Sequence, residues 1–438
     1  MKVLLLVALL SALSAVYASK KVVICYYGTW AVNRPGLGKF GVEDINPYLC
    51  THIIYAFAGI DTNGTVIPLD VELDINMGNY RNFTDLKKKN PKLKPMLAVG
   101  GWAEGSAKYS EMAADPVKRQ NFIQSALDII FEYDFEGFDL DWEYPNRRDT
   151  VHGVDDIENF SQLVKEMREE FDEYGLILTA AVSSVEASAS QSYNVSAISQ
   201  YLHYVNLMTY DMYGPWETLT GHNAGLHKGD FDGSTPREQL FTADVAVEYW
   251  LREGCPPEKL ALGVPFYGHS FKLQSETNSD VRAPSNGAGI AGPYTGEAGF
   301  VGYNEAGERG RIPYSRLQVT IQFINSNLGS RYRGSKTLGD TQRAVAFEAF
   351  CAMLKSDPSW SIRKDHLAKV PYAVKGLDWV SYDNPRSIRD KVKYALKKKL
   401  AGIMIWSIET DDFHNVCGGG AYTLLKVINN ALYKKPCL

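Results

Sequence analysis

FEGFDLDWEYP, residues 135–145, places four carboxylates within eight positions, three of them on alternate residues. Read with the strand period of two, Asp139, Asp141 and Glu143 point to one face, and Phe138, Leu140 and Trp142 to the other. The acids then form a row with spacings of roughly 6.5–7 Å. A row of this kind facing a confined interior raises at least one pKa by repulsion and desolvation, which keeps a carboxylic acid protonated near neutrality. A solvated edge strand would also tolerate alternating acids. The Gly137 turn, the apolar opposite face and the terminal Trp-Glu-Tyr-Pro favour the interior.

Working outward, short β-branched and aromatic runs recur: KVVICYYGTW (21–30), THIIYAFAGI (51–60), KPMLAVGGW (94–102), the acidic run itself, LILTAAVSS (176–184), HYVNLMTYDM (203–212), KLALGVPFYG (259–268) and LAGIMIWSIE (400–409). Helical periodicity marks 117–134, 156–175, 236–254 and 385–399 between them. Strands alternating with helices predict a parallel sheet. Eight such strands most simply close into a (β/α)8 barrel, an α/β fold with its active site at the strands' C-terminal ends. An open doubly wound sheet is the alternative, but no Gly-rich phosphate turn follows the first strand. Residues 269–399 are too long for a barrel connection and predict an inserted α+β subdomain between strands 7 and 8, over about 272–380. The barrel is then expected at about 19–271 and 381–438. Inside the insert, 306–345 is unusually basic, with Arg309, Arg311, Arg316, Arg331, Arg333, Lys336 and Arg343 against Glu308 and Asp340. It reads as a basic surface loop.

The chain has 438 residues, 45% hydrophobic and 22% charged, which suits a large globular core and excludes disorder or a fibrous protein. Lys2 followed by VLLLVALLSALSAV and a small-residue site at Val16-Tyr17-Ala18 predict a signal peptide over 1–18, because the run is shorter than the ~20 residues of a spanning helix. A secreted, extracellular protein with no membrane segment is expected. In that setting the six cysteines become disulfide candidates, and sequons at Asn63, Asn82 and Asn194 become candidate glycosylation sites. No cysteine has metal-ligand spacing, so neither metal nor cofactor is expected. The net charge of -5, without a basic stripe, argues against a nucleic-acid partner and suits a neutral substrate; a monomer is expected.

Polar and aromatic residues collect where the barrel strands would end: Tyr26 and Trp30, Phe57, Gly100-Gly101-Trp102, Glu143-Tyr144, Met208 with Tyr210 and Asp211, Tyr267, and Trp406. Any one of these aromatics alone is more often core. Together, around carboxylates, they suit a sugar polymer, whose rings stack and whose hydroxyls hydrogen-bond. Glycosidases ordinarily use two carboxylates flanking the bond. Here the acids share one strand, which fits substrate-assisted hydrolysis better.

At these residues the chain resembles a family 18 glycoside hydrolase, specifically the secreted endochitinase catalytic domain of insects and crustaceans. The signature D-G-x-D-x-D-x-E matches EGFDLDWE except at its first position, and KPMLAVGGWAEGS, VNLMTYDMYGPW, LALGVPFYGHSF and GIMIWSIETDDF extend the likeness over about 21–425. The resemblance implies a TIM barrel with an inserted subdomain, acting endo-wise on chitin or chitooligosaccharides. Carried over, Glu143 would be the general acid. Asp141 would hold the substrate's N-acetyl group, and Asp139 would tune Asp141 through a shared proton or hydrogen bond. Tyr210 would donate to the acetamido oxygen, Asp211 would bind hydroxyls, and Trp406 would floor the subsite, with Trp30, Trp102 and Trp216 extending the platform. The resemblance also suggests Cys25–Cys50 and Cys351–Cys417 disulfides, with Cys255 and Cys437 unassigned.

The chain departs from the family pattern at Glu136, Ala98, His269 and Glu409. Glu136 would add a methylene in a packed barrel. His269 replaces a common Arg that would pair with an acid such as Glu297, which predicts weaker or pH-dependent subsite binding. The rival reading is a catalytically silent chitin-binding lectin or growth-factor-like protein, which usually lacks the final Glu. An enzyme trimming N-glycans would share the mechanism and differ in the groove.

Overall fold

Eight apolar runs become eight parallel strands because each is buried on both faces, as strands wrapped by helices must be. The protein is described here by a computed structural model covering residues 21–305, 354 and 357–433. The expected signal peptide, basic segment, Cys351 and Cys437 lie outside these residues. In chain order the strands are β1 (Val22–Gly28), β2 (His52–Ile60), β3 (Val66–Pro68), β4 (Lys94–Gly100), β5 (Gly137–Asp141), β6 (Ile177–Ser183), β7 (Tyr204–Met208) and β8 (Leu260–Pro265), with β15 (Gly402–Trp406) last. Their neighbours follow chain order, β15 lies between β8 and β1, and β1 also pairs with β2, so the sheet closes. This is the expected (β/α)8 barrel and excludes the open sheet; β3 is an antiparallel appendage to β2.

Side chains sort by the period of two. Val23, Cys25, Tyr27, Ile53, Tyr55, Leu97, Val99, Phe138 and Leu140 join the layer that includes helix residues Phe122, Ile123, Leu163 and Val164. Val22, Ile24, Tyr26, Ile54, Ala56, Met96, Ala98, Ala181, Met208 and Met404 fill the interior. The helices obey their end signals. Pro116–Tyr133 begins with Pro after Asp115, whose carboxylate accepts from the Val117 and Lys118 N–H groups, and ends at Asp134 in the left-handed region, φ 62°. The periodic stretch 236–254 is helical only over Ala243–Arg252. Its start is displaced because the Ala243 and Asp244 N–H groups donate to the carbonyls of Gly225 and Leu226, supplying tertiary partners for the helix's first donors.

The second sheet contains β9 (Tyr267–Leu273), β10 (Ser285–Ala288), β11 (Phe300–Gly302), β12 (Ser361–Asp365), β13 (Val370–Lys375) and β14 (Asp378–Ser381), all antiparallel. It starts one residue after β8, so one wall of the mouth continues directly into the insert. Cys25 and Cys50 form the expected disulfide, tying β1 to the approach to β2. Cys255 is a buried free thiol.

Glu136 lies at the base of the barrel rather than in its packed interior. Its carboxylate meets Lys94 at 2.6 Å and Lys87 at 3.2 Å, so the extra methylene reaches surface cations without crowding the core. At the other end of the strands, Gly100 has φ +107°, and a Cβ there would lie 2.2 Å from the Asp141 carbonyl oxygen. Gly100→Ala is therefore expected to lower unfolding free energy by about 2–4 kcal/mol, combining backbone strain with a steric clash. Denaturant unfolding measures this; a change below about 0.5 kcal/mol, typical of neutral surface substitutions, would contradict the close approach.

Candidate active site

Strand β5 delivers the acids. Asp139 is completely buried, with Oδ2 accepting from Tyr26 Oη at 2.7 Å and Oδ1 accepting from Asn206 Nδ2 at 3.1 Å and from the Thr179 hydroxyl. Burial pushes its pKa up to about 6 despite these stabilising bonds. Asp141 is 3% exposed, and among the described residues its Oδ1 has no hydrogen-bond partner. Burial holds its carboxyl well above the usual range, reinforced by the charges of Glu143 and Asp139. Among the described residues no hydrogen bond joins Asp139 to Asp141. The charge of Asp139 helps to hold the Asp141 carboxyl up.

Glu143 sits just past the strand end. Burial raises its pKa to about 7, Tyr144 opposes the rise by hydrogen bonding, Asp211 adds to it, and Arg148 opposes it. Glu143 is therefore an acid that can carry its proton near neutrality and release it there. Arg148 also donates to the carbonyls of Trp102 at 2.8 Å and Glu143 at 3.2 Å, with its guanidinium 3.7 Å from the Trp102 ring centroid. It fastens an exposed tryptophan to the acid's own loop.

The aromatic residues do converge. Trp406 lies 5.4 Å from Tyr26, 5.7 Å from Phe57 and 6.0 Å from Trp30, centroid to centroid. Trp30, Trp102 and Trp216 are 44%, 62% and 59% exposed, leaving ring surface available for stacking. Non-proline cis peptides precede Phe57, Tyr144 and Ser407. Met208 and Tyr210 are buried in the interior cluster, Tyr144 packs against it, and Tyr210 Oη donates to Met404 Sδ at 3.6 Å. Burial raises the Tyr210 phenol well above its ordinary value, keeping it a donor.

Asp211 occupies the left-handed region at φ 55°, fixed by its N–H donating to Asn223 Oδ1 at 2.8 Å. Its Oδ1 accepts from Tyr267 Oη at 2.6 Å and lies 2.7 Å from His269 Nε2. His269 Nδ1 lies 2.9 Å from the Gly299 carbonyl. The expected substitute for an Arg–Glu297 pair thus reaches Asp211 instead, because β9 aims the ring at the end of β7. Glu409 is buried and engaged by the Gly28 N–H, the Ser407 hydroxyl and Arg34. Ala98 lies inside the barrel in register with Asp139.

Thr179, Asn206 and Arg148 were absent from the sequence-derived site. The first two carried a usable signal: each is a polar residue at an inward-facing position of an otherwise apolar strand. Arg148, in an irregular loop with no periodicity, offered none.

The family model described as glycosyl hydrolases family 18 matches residues 22–411. "Probable chitinase 2" of Drosophila melanogaster is 39% identical over 94% of this chain and 78% of its own length. The crystal structure of the Ostrinia furnacalis Group IV chitinase is 51% identical with a TM-score of 0.84, covering 95% of this chain and all of that one. Human YKL-39, described as a pseudo-chitinase with retained chitooligosaccharide binding properties, is 33% identical with a TM-score of 0.76 over 94% of this chain and 99% of that one.

Asp139 yields a stability test. Its folded pKa lies above the unfolded value, so its contribution is full below about pH 4 and is lost as pH rises through about 6. Asp139→Asn, which does not titrate, is expected to flatten the decline in melting temperature between pH 4 and 6. An unchanged slope would show that Asp139 ionises as easily folded as unfolded.

Proposed function

The chain belongs to glycosyl hydrolases family 18, and from that premise we propose that it is an endo-acting chitinase, cutting β-1,4-linked N-acetylglucosamine chains by a substrate-assisted, retaining route. The observation that carries this is the pairing of Glu143, poised to titrate at about 7, with Asp141, whose buried Oδ1 has no partner among the described residues. Asp211 is a further carboxylate at the mouth, and Tyr267 and His269 already engage it. It suits hydroxyl recognition better than attack on a sugar carbon.

In this reading Glu143 protonates the glycosidic oxygen as the bond to the anomeric carbon breaks. The acetamido oxygen of the sugar being cut attacks that carbon from the opposite face, taking the place of a second carboxylate. Asp141 accepts the amide N–H and Tyr210 donates to the amide oxygen. The Glu143 carboxylate then takes a proton from water as it opens the cyclic intermediate. Two displacements restore the original anomeric configuration. Trp406 floors the central subsite, while Trp30, Trp102 and Trp216 extend it.

Secretion is part of the proposal. It rests on the sequence pattern of residues 1–18 and on the Cys25–Cys50 disulfide, a bond favoured by oxidising compartments. Asn63, Asn82 and Asn194 are all exposed, as glycan attachment requires. Among the described residues no helix is long and apolar enough to cross a membrane.

The competing function, chitin binding without hydrolysis, has a precedent in the name of the YKL-39 structure; a protonatable Glu143 favours the enzyme. Glu143→Gln is expected to cut kcat on N-acetylglucosamine oligomers by about 10²–10⁴ while preserving their binding. The parent's rate should fall as pH rises through about 7, where the acid loses its proton. Hydrolysis followed by product separation, with binding by calorimetry, measures both. A variant within about tenfold of the parent would move the acid elsewhere, and binding without turnover in either would favour the lectin.

A further inference from the structure

We propose that the junction between the inserted sheet and the helix Pro385–Lys397 is a binding site for an oxyanion, a phosphate or sulfate group, separate from the sugar groove. A cavity of about 390 Å³ opens between the β12–β13 hairpin and the start of this helix, lined by Arg363, Lys364, Lys369, Arg386 and Arg389 with Pro385. Arg363 is paired with Asp280 at 2.9 Å. Among the described residues the other four cations have no acidic partner, and Arg386 and Arg389 are exposed. The gathering is notable in a chain whose net charge is -5.

The acids nearest in sequence are committed elsewhere. Asp365 holds His222 at 3.1 Å and the N–H groups of Leu367 and Ala368. Asp383 is buried against Lys391 at 2.5 Å, and Asp390 lies 3.9 Å from Lys393. Among the described residues the cationic wall therefore has no neutralising carboxylate beyond Asp280, which engages Arg363. The helix end adds its positive dipole. It adds no free backbone donor from its first turn, because the Arg386 and Ser387 N–H groups already donate to Asn384 Oδ1 and Pro385 has none. Recognition must come from the long cationic side chains, whose guanidinium groups match the oxygens of phosphate and sulfate.

The volume lies toward the small end of ligand pockets and exceeds what a single tetrahedral ion fills. A sugar-sized unit carrying the ester fits the space, with Ile362 and Pro371 as apolar wall. None of the lining residues belongs to the groove built on Glu143. The inference is thus independent of the hydrolase reading.

The test is calorimetric titration of the full secreted chain, at low and at moderate salt, with a sulfated tetrasaccharide in one arm and inorganic phosphate and sulfate in another. Three double variants accompany the parent: Arg386→Gln with Arg389→Gln, Lys364→Gln with Lys369→Gln, and, as a control of equal charge on another face, Lys88→Gln with Lys89→Gln. Binding that weakens about tenfold or more in the first two variants, falls with salt and is unchanged in the control supports the site; the arm that binds identifies whether the group is carried on a sugar or free. Hydrolysis of neutral N-acetylglucosamine oligomers should stay at the parental rate in all three. No binding in either arm, or equal weakening in the control, would overturn the proposal.

Discussion

Placing ionisable carboxyls inside a barrel costs several kcal/mol for each charge left without a counter-ion, and this fold places Asp139 and Asp141 there with Glu143 at the rim. No Lys or Arg makes an ion pair with Asp139 or Asp141 among the described residues. The cost is relieved by hydrogen bonding at one position and by protonation at the next. Asp139 accepts from Tyr26, Thr179 and Asn206, contributed by β1, β6 and β7. Asp141 has an oxygen without any such bond among the described residues, and burial with the charges of Glu143 and Asp139 holds its carboxyl well above the usual range. All three acids are thereby held above the usual carboxylate range, and the outermost, at about 7, is set for proton transfer near neutrality.

The surrounding architecture serves that row of acids. Closure of β1 onto both β2 and β15 brings Tyr26, Phe57, Trp30 and Trp406 together, although they are far apart in the chain. Gly100 permits the backbone of β4 to approach Asp141, and Arg148 binds the Trp102 loop to the segment carrying Glu143. The inserted sheet reaches the same site through β9, where Tyr267 and His269 orient Asp211. The insert is thus part of the cleft, and the cationic hollow on its other side gives it a second surface with different chemistry.

Much of this was legible in the sequence because local periodicity and burial agree. Each of the eight apolar runs contains a barrel strand, and the alternation of acids with Phe138, Leu140 and Trp142 directly separates the interior from the helix-facing layer. The contacts that set acidity were less legible because they join separate strands: Thr179 on the adjacent β6 and Asn206 on β7 are 40 and 67 residues from Asp139. His269 turned to Asp211 rather than Glu297, and Glu136 to basal lysines, since strand register and the end of the barrel to which a residue belongs decide its partner. The late start of the helix Ala243–Arg252 has the same origin. Tertiary acceptors at Gly225 and Leu226 take its first donors, and no local pattern encodes them.

The central claim is that the sugar's own amide, steadied by Asp141, does the work of a missing second carboxylate. Proton NMR of the anomeric signals during the first minutes of N-acetylglucosamine oligomer hydrolysis tests it most directly. Release of the β-anomer ahead of mutarotation is the predicted result, because two successive displacements restore the starting configuration. Initial release of the α-anomer would mean a single displacement by water, and would contradict the account of Asp141 and Glu143 acting on one face through the substrate's amide.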